Sequence, residues 1–257
     1  MSLRHCSDTN VGLRRSINQD VLLADPAVGL FVVADGMGGH ERGEVAADIV
    51  VTSIAELVRD TAAGDDSDRS RAETRALGDA TRRLQAAVLL ANRRISEQGG
   101  DPAATGMGAT AVAALFDGSR VTLAHVGDCR AYLLDRSGWR ALTQDHSWIA
   151  DQVAAGFITA TAARQHPWRN VVSRAVQGQD SLEVDTMEIE LREPSRLLLC
   201  SDGLHAVVED EEIRRLVADS DAPFDMLCTR LVGAALDRGA PDNVSAIVVD
   251  WPGTPGL

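Results

Sequence analysis

The chain has 257 residues, of which 45% are hydrophobic and 25% are charged, and its formal net charge is −13. These values are typical of a soluble globular protein that can bury one large core. The strong acidity excludes general binding to nucleic acids and docking on anionic membranes, because both need clustered Lys and Arg.

The cysteines and the N-terminal residues indicate where the protein works. Cys6, Cys129, Cys200 and Cys228 form no C-x-x-C pair and have no His at zinc-like spacing, which favours reduced thiols in a cytoplasm. Residues 1–10 contain no apolar stretch of the signal-peptide kind, and no apolar run approaches the ~20 residues that cross a bilayer. We therefore expect a cytoplasmic protein without a membrane segment, and we also expect a monomer.

Short apolar runs, which predict strands, alternate with longer segments of helical periodicity. The predicted strands cover 21–24, 29–34, 109–115, 121–126, 130–134, 183–191, 196–201 and 243–250. The predicted helices cover 43–59, 71–97, 209–218 and 223–238, with a polar loop at 60–70 and short helices and loops at 145–176. Groups of strands with separate groups of helices indicate an α+β fold with mainly antiparallel sheets. Because no linker clearly divides the chain, we expect residues 1–257 to form a single domain.

Aspartates recur at the ends of these apolar runs, next to Gly or Asn. A single Asp at a strand end is more often a turn former or a cap. Several together are harder to explain so, because strand ends can converge on one edge, where carboxylates repel unless a cation neutralises them. Oxygen ligands without Cys or His favour Mg²⁺, Mn²⁺ or Ca²⁺, and the lack of an EF-hand loop favours a catalytic metal. The residues concerned are Asp20, Asp35, Asp128, Asp202 and Asp242.

Two further features lie beside these aspartates. The segment DGMGGH at 35–40 lets the backbone approach a ligand closely, although a simple tight connection between strand and helix has the same pattern. Arg15 precedes Asp20 by five residues, and a guanidinium beside a carboxylate–metal site can bind a phosphate with its planar fork. An exposed Arg is more often only a surface charge, so both interpretations of Arg15 stay open at this point.

Segments along nearly the whole chain, about residues 4–250, resemble motifs of the PP2C-type (PPM) metal-dependent protein phosphatases. The motifs occur in the family's order, which makes the resemblance specific, although a single motif such as SDG is not. The segment HPWRN at 166–170 is similar to the bacterial branch. The matching segments are GLRRSINQD at 12–20, ADGMGGH at 34–40, GMGATA at 106–111, VGDCRAY at 126–132, TQDHS at 143–147, CSDGL at 200–204 and PDNVS at 241–245.

The resemblance implies a fold, an activity and partners. The fold would be a central sandwich of two antiparallel β-sheets flanked by helix pairs, with a mobile flap at about 145–170 beside the site. The activity would be hydrolysis of phosphoserine and phosphothreonine in proteins by a water that two metal ions activate, without a side-chain nucleophile. The partners would be phosphorylated proteins, either targets of a Ser/Thr kinase or the kinase itself.

The same resemblance implies roles for individual residues. Asp35 would bridge two Mn²⁺ or Mg²⁺ ions, the Gly36 carbonyl would help to bind one of them, and Asp202 and Asp242 would complete the pair. The remaining implied roles are Asp20 at a metal-bound water, Asp128 with Asp202 at a weaker third ion, and Arg15 at the substrate phosphate.

Three positions depart from the family pattern. Met37 stands where some members have a His that is proposed as the general acid, and a water on a metal could serve instead. We expect the nearby His40 to be structural. Gln19 stands where Glu is frequent, which is a milder change. Cys129 stands where Ser is common, and we expect a small buried thiol there rather than an oxidation-sensitive one.

Other functions fit the sequence less well. GMGATA also matches a dinucleotide-binding G-x-G-x-x-A, but it precedes a β-rich run instead of opening a helix after a strand. Ser201 lacks the G-x-S-x-G context of a serine hydrolase. The serious alternative is a pseudophosphatase that binds phosphoproteins without turnover. Asp35, Asp202 and Asp242 argue against it, because loss of metal ligands is its expected signature.

Overall fold

The computed structural model describes residues 3–38, 42–63, 80–99 and 106–253. The strands are β1 Arg4–Asn10, β2 Asp20–Asp25, β3 Leu30–Met37, β4 Gly108–Asp117, β5 Arg120–Val126, β6 Arg130–Asp135, β7 Gly138–Ala141, β8 Asp185–Glu190, β9 Ser195–Cys200 and β10 Val244–Trp251. The helices are α1 Arg42–Ala63, α2 Ala80–Gly99, α3 Trp148–Ala154, α4 Ala160–Ala163, α5 Asp202–His205, α6 Asp210–Ala218 and α7 Leu227–Leu236, and a 3₁₀ turn, Phe224–Met226, precedes α7.

The strands form two antiparallel sheets that pack face to face. The first sheet has the order β1-β10-β9-β6-β7 and the second has the order β2-β3-β4-β5-β8. Side chains from both sheets fill the core between them, among them Phe31 and Leu123 from the second sheet and Leu199 and Ile247 from the first. This arrangement confirms the predicted antiparallel sandwich.

Helices cover the outer face of each sheet. In the second sheet, Val32 packs under α1 and α2, whereas its neighbour Val33 faces the core between the sheets. In the first sheet, Leu198 packs under α6 and α7 beside Leu231. Because both faces of the central strands are buried, their sequences are apolar at successive positions instead of alternating with polar residues. The result is the four-layer order that the resemblance implies.

The apolar pattern predicted the edge strands β2 and β8 but not the edge strands β1 and β7. β1 has the sequence RHCSDTN and pairs only with β10, and β7 has the sequence GWRA and pairs only with β6. An edge strand needs fewer apolar residues than a central one, because much of its surface faces solvent. Neither segment therefore contains the apolar run that predicts a strand.

The predicted start of the loop after α1 was wrong. α1 continues to Ala63, so the segment from residue 60 to residue 63 is helix and not loop. The hydroxyl of Thr61 donates to the Leu57 carbonyl at 2.7 Å, and Ala is the residue with the highest helix propensity. The rest of the predicted loop, 64–70, and the start of the predicted helix, 71–79, lie outside the described residues.

The predicted flap, residues 145–170, contains α3, α4 and the loops around them. The two ends of the segment meet, because Ser147 and Val172 form an isolated antiparallel bridge and the Trp148 N–H donates to the Val171 carbonyl at 2.9 Å.

Within the described parts of the chain, no helix has the length and apolar character that crossing a membrane requires.

The core between the sheets should govern stability. Replacing Leu199, which is fully buried there, with Ala should lower the free energy of unfolding by about 2–5 kcal/mol, because a cavity is left behind. Urea denaturation followed by tryptophan fluorescence measures this difference. Leu89 on α2 is 38% exposed, so Leu89→Ala is the matched control and should change the value by about 0.5 kcal/mol or less. Equal losses in both variants would contradict the described core.

Candidate metal centre

The five aspartates singled out in the sequence come from both sheets and lie at one end of the sandwich. Asp20, the first residue of β2, pairs in register with Asp35 on β3. Asp128 follows β5, Asp202 opens α5 directly after β9, and Asp242 precedes β10. All except Asp20, which is buried behind the others, line one open cleft of about 340 Å³.

Burial and mutual repulsion raise the pKa of these carboxyl groups. At Asp35 and Asp202, burial first and the neighbouring aspartates second raise the pKa well above its ordinary value. Burial is also the main reason why the pKa of Asp20 and that of Asp128 rise to about 6. Clustered buried carboxylates are costly unless they are protonated or paired with a cation, so the site favours a bound cation.

Two carboxylate oxygens of the cluster have no partner. Asp20 Oδ1 and Asp202 Oδ1 are buried and accept no hydrogen bond from any residue that the structure describes. A buried polar atom left unpaired costs about 1–3 kcal/mol, and a cation is the partner that a carboxylate oxygen can take. The donor set consists only of oxygens, which suits hard divalent ions such as Mn²⁺ and Mg²⁺. These residues therefore fit a divalent metal centre.

Close backbone contacts bring the acidic segments together. A methyl group added at Gly36 would lie 2.0 Å from the Gly43 carbonyl oxygen, and one added at Gly203 would lie 1.9 Å from the Asn243 carbonyl oxygen. Any side chain at Gly36 would push β3 away from α1, and any side chain at Gly203 would push α5 away from the turn before β10. Packing alone therefore requires glycine at both positions, whether or not the Gly36 carbonyl binds a metal ion.

Ser201 holds Asp20 in place, a role that the sequence pattern did not reveal. Its hydroxyl donates to Asp20 Oδ2 at 2.8 Å and accepts from the Ser245 N–H at 3.0 Å. The fully buried Ser201 therefore connects β2 of one sheet to β10 of the other. The only signal in the sequence was the position of a polar residue between a buried strand and a candidate ligand.

Asn243 was also missed. Its side-chain oxygen accepts from the Gln19 N–H at 2.8 Å, and its side-chain nitrogen donates to the Val11 and Ile17 carbonyls at 2.9 and 3.0 Å. One amide thus fixes the loop before β2 against the turn that carries Asp242. Its partners are more than 200 residues away along the chain, so sequence pattern alone could not reveal them.

Arg15 lies at the cleft but contacts a candidate ligand. Its Nη2 donates to Asp242 Oδ2 at 2.7 Å, and this hydrogen bond is the main reason why the pKa of Arg15 is raised. The Arg15 side chain is 53% exposed. A phosphate in the cleft would therefore compete with Asp242 for the guanidinium group.

Two histidines hold the loop that carries Asp128. The main-chain N–H of Gly127 donates to the ring atom Nδ1 of His146 at 2.9 Å, and the main-chain N–H of His146 donates to the Gly127 carbonyl at 2.7 Å. His205 Nε2 donates to the Asp128 carbonyl at 3.0 Å. Because His205 and Asp202 belong to the same short helix, α5, this bond ties the Asp128 loop to the segment that carries Asp202.

A second cluster has ligand chemistry, but two of its three residues already hold hydrogen bonds. Ligand atoms of His125, His146 and Asp185 lie within 4.8 Å of one another. However, His146 Nδ1 accepts from Gly127, so the neutral ring carries its proton on Nε2, which faces Asp185 Oδ2 at 3.1 Å. Arg174 already donates to Asp185 at 2.6 Å. His146 and Asp185 therefore belong to a hydrogen-bonded support for the Asp128 loop.

The departures from the family pattern lie in and near the cleft. Met37 lines the cleft itself, whereas His40 lies outside the described residues. Cys129 is fully buried with its Sγ 3.1 Å from Thr110 Oγ1, and burial raises its pKa well above the ordinary value. The expected small buried thiol is therefore what the structure contains.

Comparison with known proteins agrees with this geometry. The model of the protein phosphatase 2C family matches residues 14–244. The chain belongs to this family. It is 37% identical over 249 residues to the serine/threonine protein phosphatase PstP of Mycobacterium tuberculosis, which covers 96% of this chain but only 45% of PstP. The chain thus spans less than half the length of that relative.

A second relative and a solved structure each match over nearly their whole length. The serine/threonine phosphatase Stp of Listeria monocytogenes is 31% identical over 252 residues, which covers 96% of this chain and 91% of Stp. The crystal structure of the PstP catalytic domain in complex with two manganese ions has a TM-score of 0.81 and 34% identity, and covers 96% of this chain and 97% of that one.

The carboxyl cluster should leave a signature in the pH dependence of stability of the metal-free protein. The pKa of Asp20 and that of Asp128 are about 6 in the folded state against 3.8 ordinarily, so the folded protein holds more protons between these pH values. The stabilisation that Asp20 and Asp128 give by holding protons in the folded state is complete at pH values below 3.8. It is lost as the pH rises through about 6.

Urea denaturation across this pH range tests the expectation. The control is the double variant Asp20→Asn/Asp128→Asn, in which neither group titrates. The free energy of unfolding of the wild type, relative to the control, should fall as the pH rises from about 4 to about 6. A relative value that stays constant or rises would show that these carboxyl groups are not buried as described.

Proposed function

We propose that this chain is a metal-dependent phosphatase that hydrolyses phosphoserine and phosphothreonine in proteins. The cluster of five aspartates, with its two buried and unpaired oxygens, carries the proposal. Family membership supports the reaction class, and the two manganese ions bound to the similar PstP domain support a binuclear Mn²⁺ or Mg²⁺ centre. A weaker third ion is a further part of the proposal.

In this proposal the chain holds the ions with residues from both sheets. When bound, two divalent ions lower the pKa of water and offset the charge of the phosphoryl oxygens. Asp20, fixed by Ser201, orients water at the centre. Because Met37 has no proton to give, the leaving alkoxide takes its proton from water in the open cleft. The proposed ligands are Asp35, the Gly36 carbonyl, Asp202 and Asp242, with Asp128 at the third ion.

Arg15 is the proposed phosphate-binding residue. Its guanidinium reaches the cleft and now pairs with Asp242, a carboxylate that would turn to a metal ion. A planar fork of donors suits two oxygens of a phosphoryl group. Substrate binding would thus exchange one anionic partner of Arg15 for another.

The substrates we propose are proteins phosphorylated by a Ser/Thr kinase, or the kinase itself. We also propose that residues 1–257 act as one catalytic domain in a cytoplasmic monomer. Residues 145–170 would be the flap, and the position of Asn170 in the cleft lining supports this role.

Phosphate release from phosphothreonine and phosphotyrosine peptides tests the proposal. Release should need Mn²⁺, stop in EDTA and favour phosphothreonine, and an autophosphorylated Ser/Thr kinase should also be a substrate. Asp35→Asn and Asp202→Asn should each lose at least about a hundredfold in rate, because losing a residue that only orients a metal ligand already costs about 10–100-fold.

The exposed Asp221 provides the matched control, and Asp221→Asn should keep the wild-type rate. Full activity in EDTA or in either ligand variant would reject the metal mechanism. Phosphopeptide binding without release, by folded protein with any divalent ion, would instead support a phosphoprotein-binding protein without turnover.

The role of Arg15 has its own test. Arg15→Ala should lower kcat/KM for a phosphothreonine peptide by about 10- to 100-fold, since a hydrogen bond to a charged group contributes about 1.5–3 kcal/mol. Arg14 is adjacent and exposed, so Arg14→Ala controls for the loss of one surface charge. If steady-state kinetics show the same kcat and KM for both variants as for the wild type, Arg15 does not bind the phosphate.

A further inference from the structure

A second cavity adjoins the metal-centre cleft on the side of the flap. Its volume is about 430 Å³, within the range of roughly 300–1,000 Å³ that ligand pockets occupy. Asp128, Asn170 and Asp202 line both the cleft and this cavity, so the two form one continuous surface. A molecule that is held at the aspartates can therefore extend into the cavity.

The flap contributes a wall of small apolar side chains. Three of them belong to α3 and two to α4, and all are at least partly exposed. Because alanines predominate, the two helices leave the space open instead of filling it. Such a wall offers no hydrogen bonds to water, whereas an apolar group that covers it removes apolar surface from water, which is favourable. The side chains are Ala150, Val153, Ala154, Ala160 and Ala163.

Two arginines that line the cavity are already paired. Arg130 donates to both carboxylate oxygens of Asp145, each at 2.7 Å, in a half-buried bidentate pair. Arg164 at the rim pairs with Glu209 at 2.6 Å. Because these two arginines are paired inside the chain, the gain in free energy that the wall of α3 and α4 offers is one for an apolar group.

We propose that this cavity is a specificity pocket for a large apolar side chain, such as Leu or Phe, of the phosphoprotein substrate. The inference rests on the proposed function, which places the phosphorylated residue at the aspartates. An extended peptide advances about 3.3 Å per residue, so the apolar residue lies only a few positions from the phosphorylated one. The enzyme thus selects phosphorylation sites with an apolar neighbour on one side.

Peptide kinetics test the pocket. In a series of phosphothreonine peptides, Ala is replaced by Leu at one flanking position at a time, and kcat/KM is measured with Mn²⁺. At one position Leu should raise kcat/KM by about tenfold, as burial of a large apolar side chain allows. Ala163→Leu fills the pocket and should remove this preference, while kcat/KM for the parent peptide with Ala at every flanking position, which has no large side chain for the pocket, stays unchanged.

The matched control is Ala162→Leu, an exposed neighbour on the same helix that does not line the cavity, and it should keep the preference. If p-nitrophenyl phosphate is hydrolysed but Leu gives no gain at any position, the pocket proposal is wrong and the phosphatase proposal stands. A preference for Leu that persists in Ala163→Leu would likewise contradict the pocket proposal alone.

If neither p-nitrophenyl phosphate nor any phosphopeptide is hydrolysed, the phosphatase proposal fails and peptide binding decides about the pocket. Fluorescence anisotropy of a labelled Leu-containing phosphopeptide should then show weaker binding to Ala163→Leu than to Ala162→Leu. Equal affinities of the two variants would overturn the pocket proposal as well.

Discussion

The repulsion among five carboxyl groups at one end of the sandwich is the constraint that the surrounding structure must satisfy. Asp20 and Asp35 face each other across neighbouring strands of one sheet, whereas Asp202 and Asp242 flank neighbouring strands of the other. The distance between the two pairs therefore depends on how the sheets pack. An apolar core between two sheets, covered by helices on both outer faces, supplies the rigidity that holds like charges together.

Neutral polar groups complete this support without adding charge. Ser201 joins Asp20 to the first sheet, Asn243 joins the loop before β2 to the turn before β10, and His205 joins the Asp128 loop to α5. Burial lowers the pKa of His205 to about 3, so this histidine stays neutral at ordinary pH and leaves the negative charge of the centre intact. The cluster therefore keeps its affinity for cations.

Local pattern was enough to predict the central strands, the paired helices and the candidate ligands, because each is marked by a run of neighbouring residues. The edge strand β1 was missed since its residues are mostly polar, and the end of α1 was misplaced by a few residues. The roles of Ser201 and Asn243 and the contact of Arg15 with Asp242 depend on partners more than 180 residues away, which only the folded chain brings together.

The contact between Gly203 and the Asn243 carbonyl has a consequence for how this protein can diverge. No side chain separates the segments that carry Asp202 and Asp242, so main-chain atoms in contact determine how far apart the two carboxylates are anchored. Main-chain dimensions are the same for every sequence. Substitutions on the surface and in residues 145–170 can therefore alter the outer surface of the protein, while the spacing of Asp202 and Asp242 is inherited unchanged.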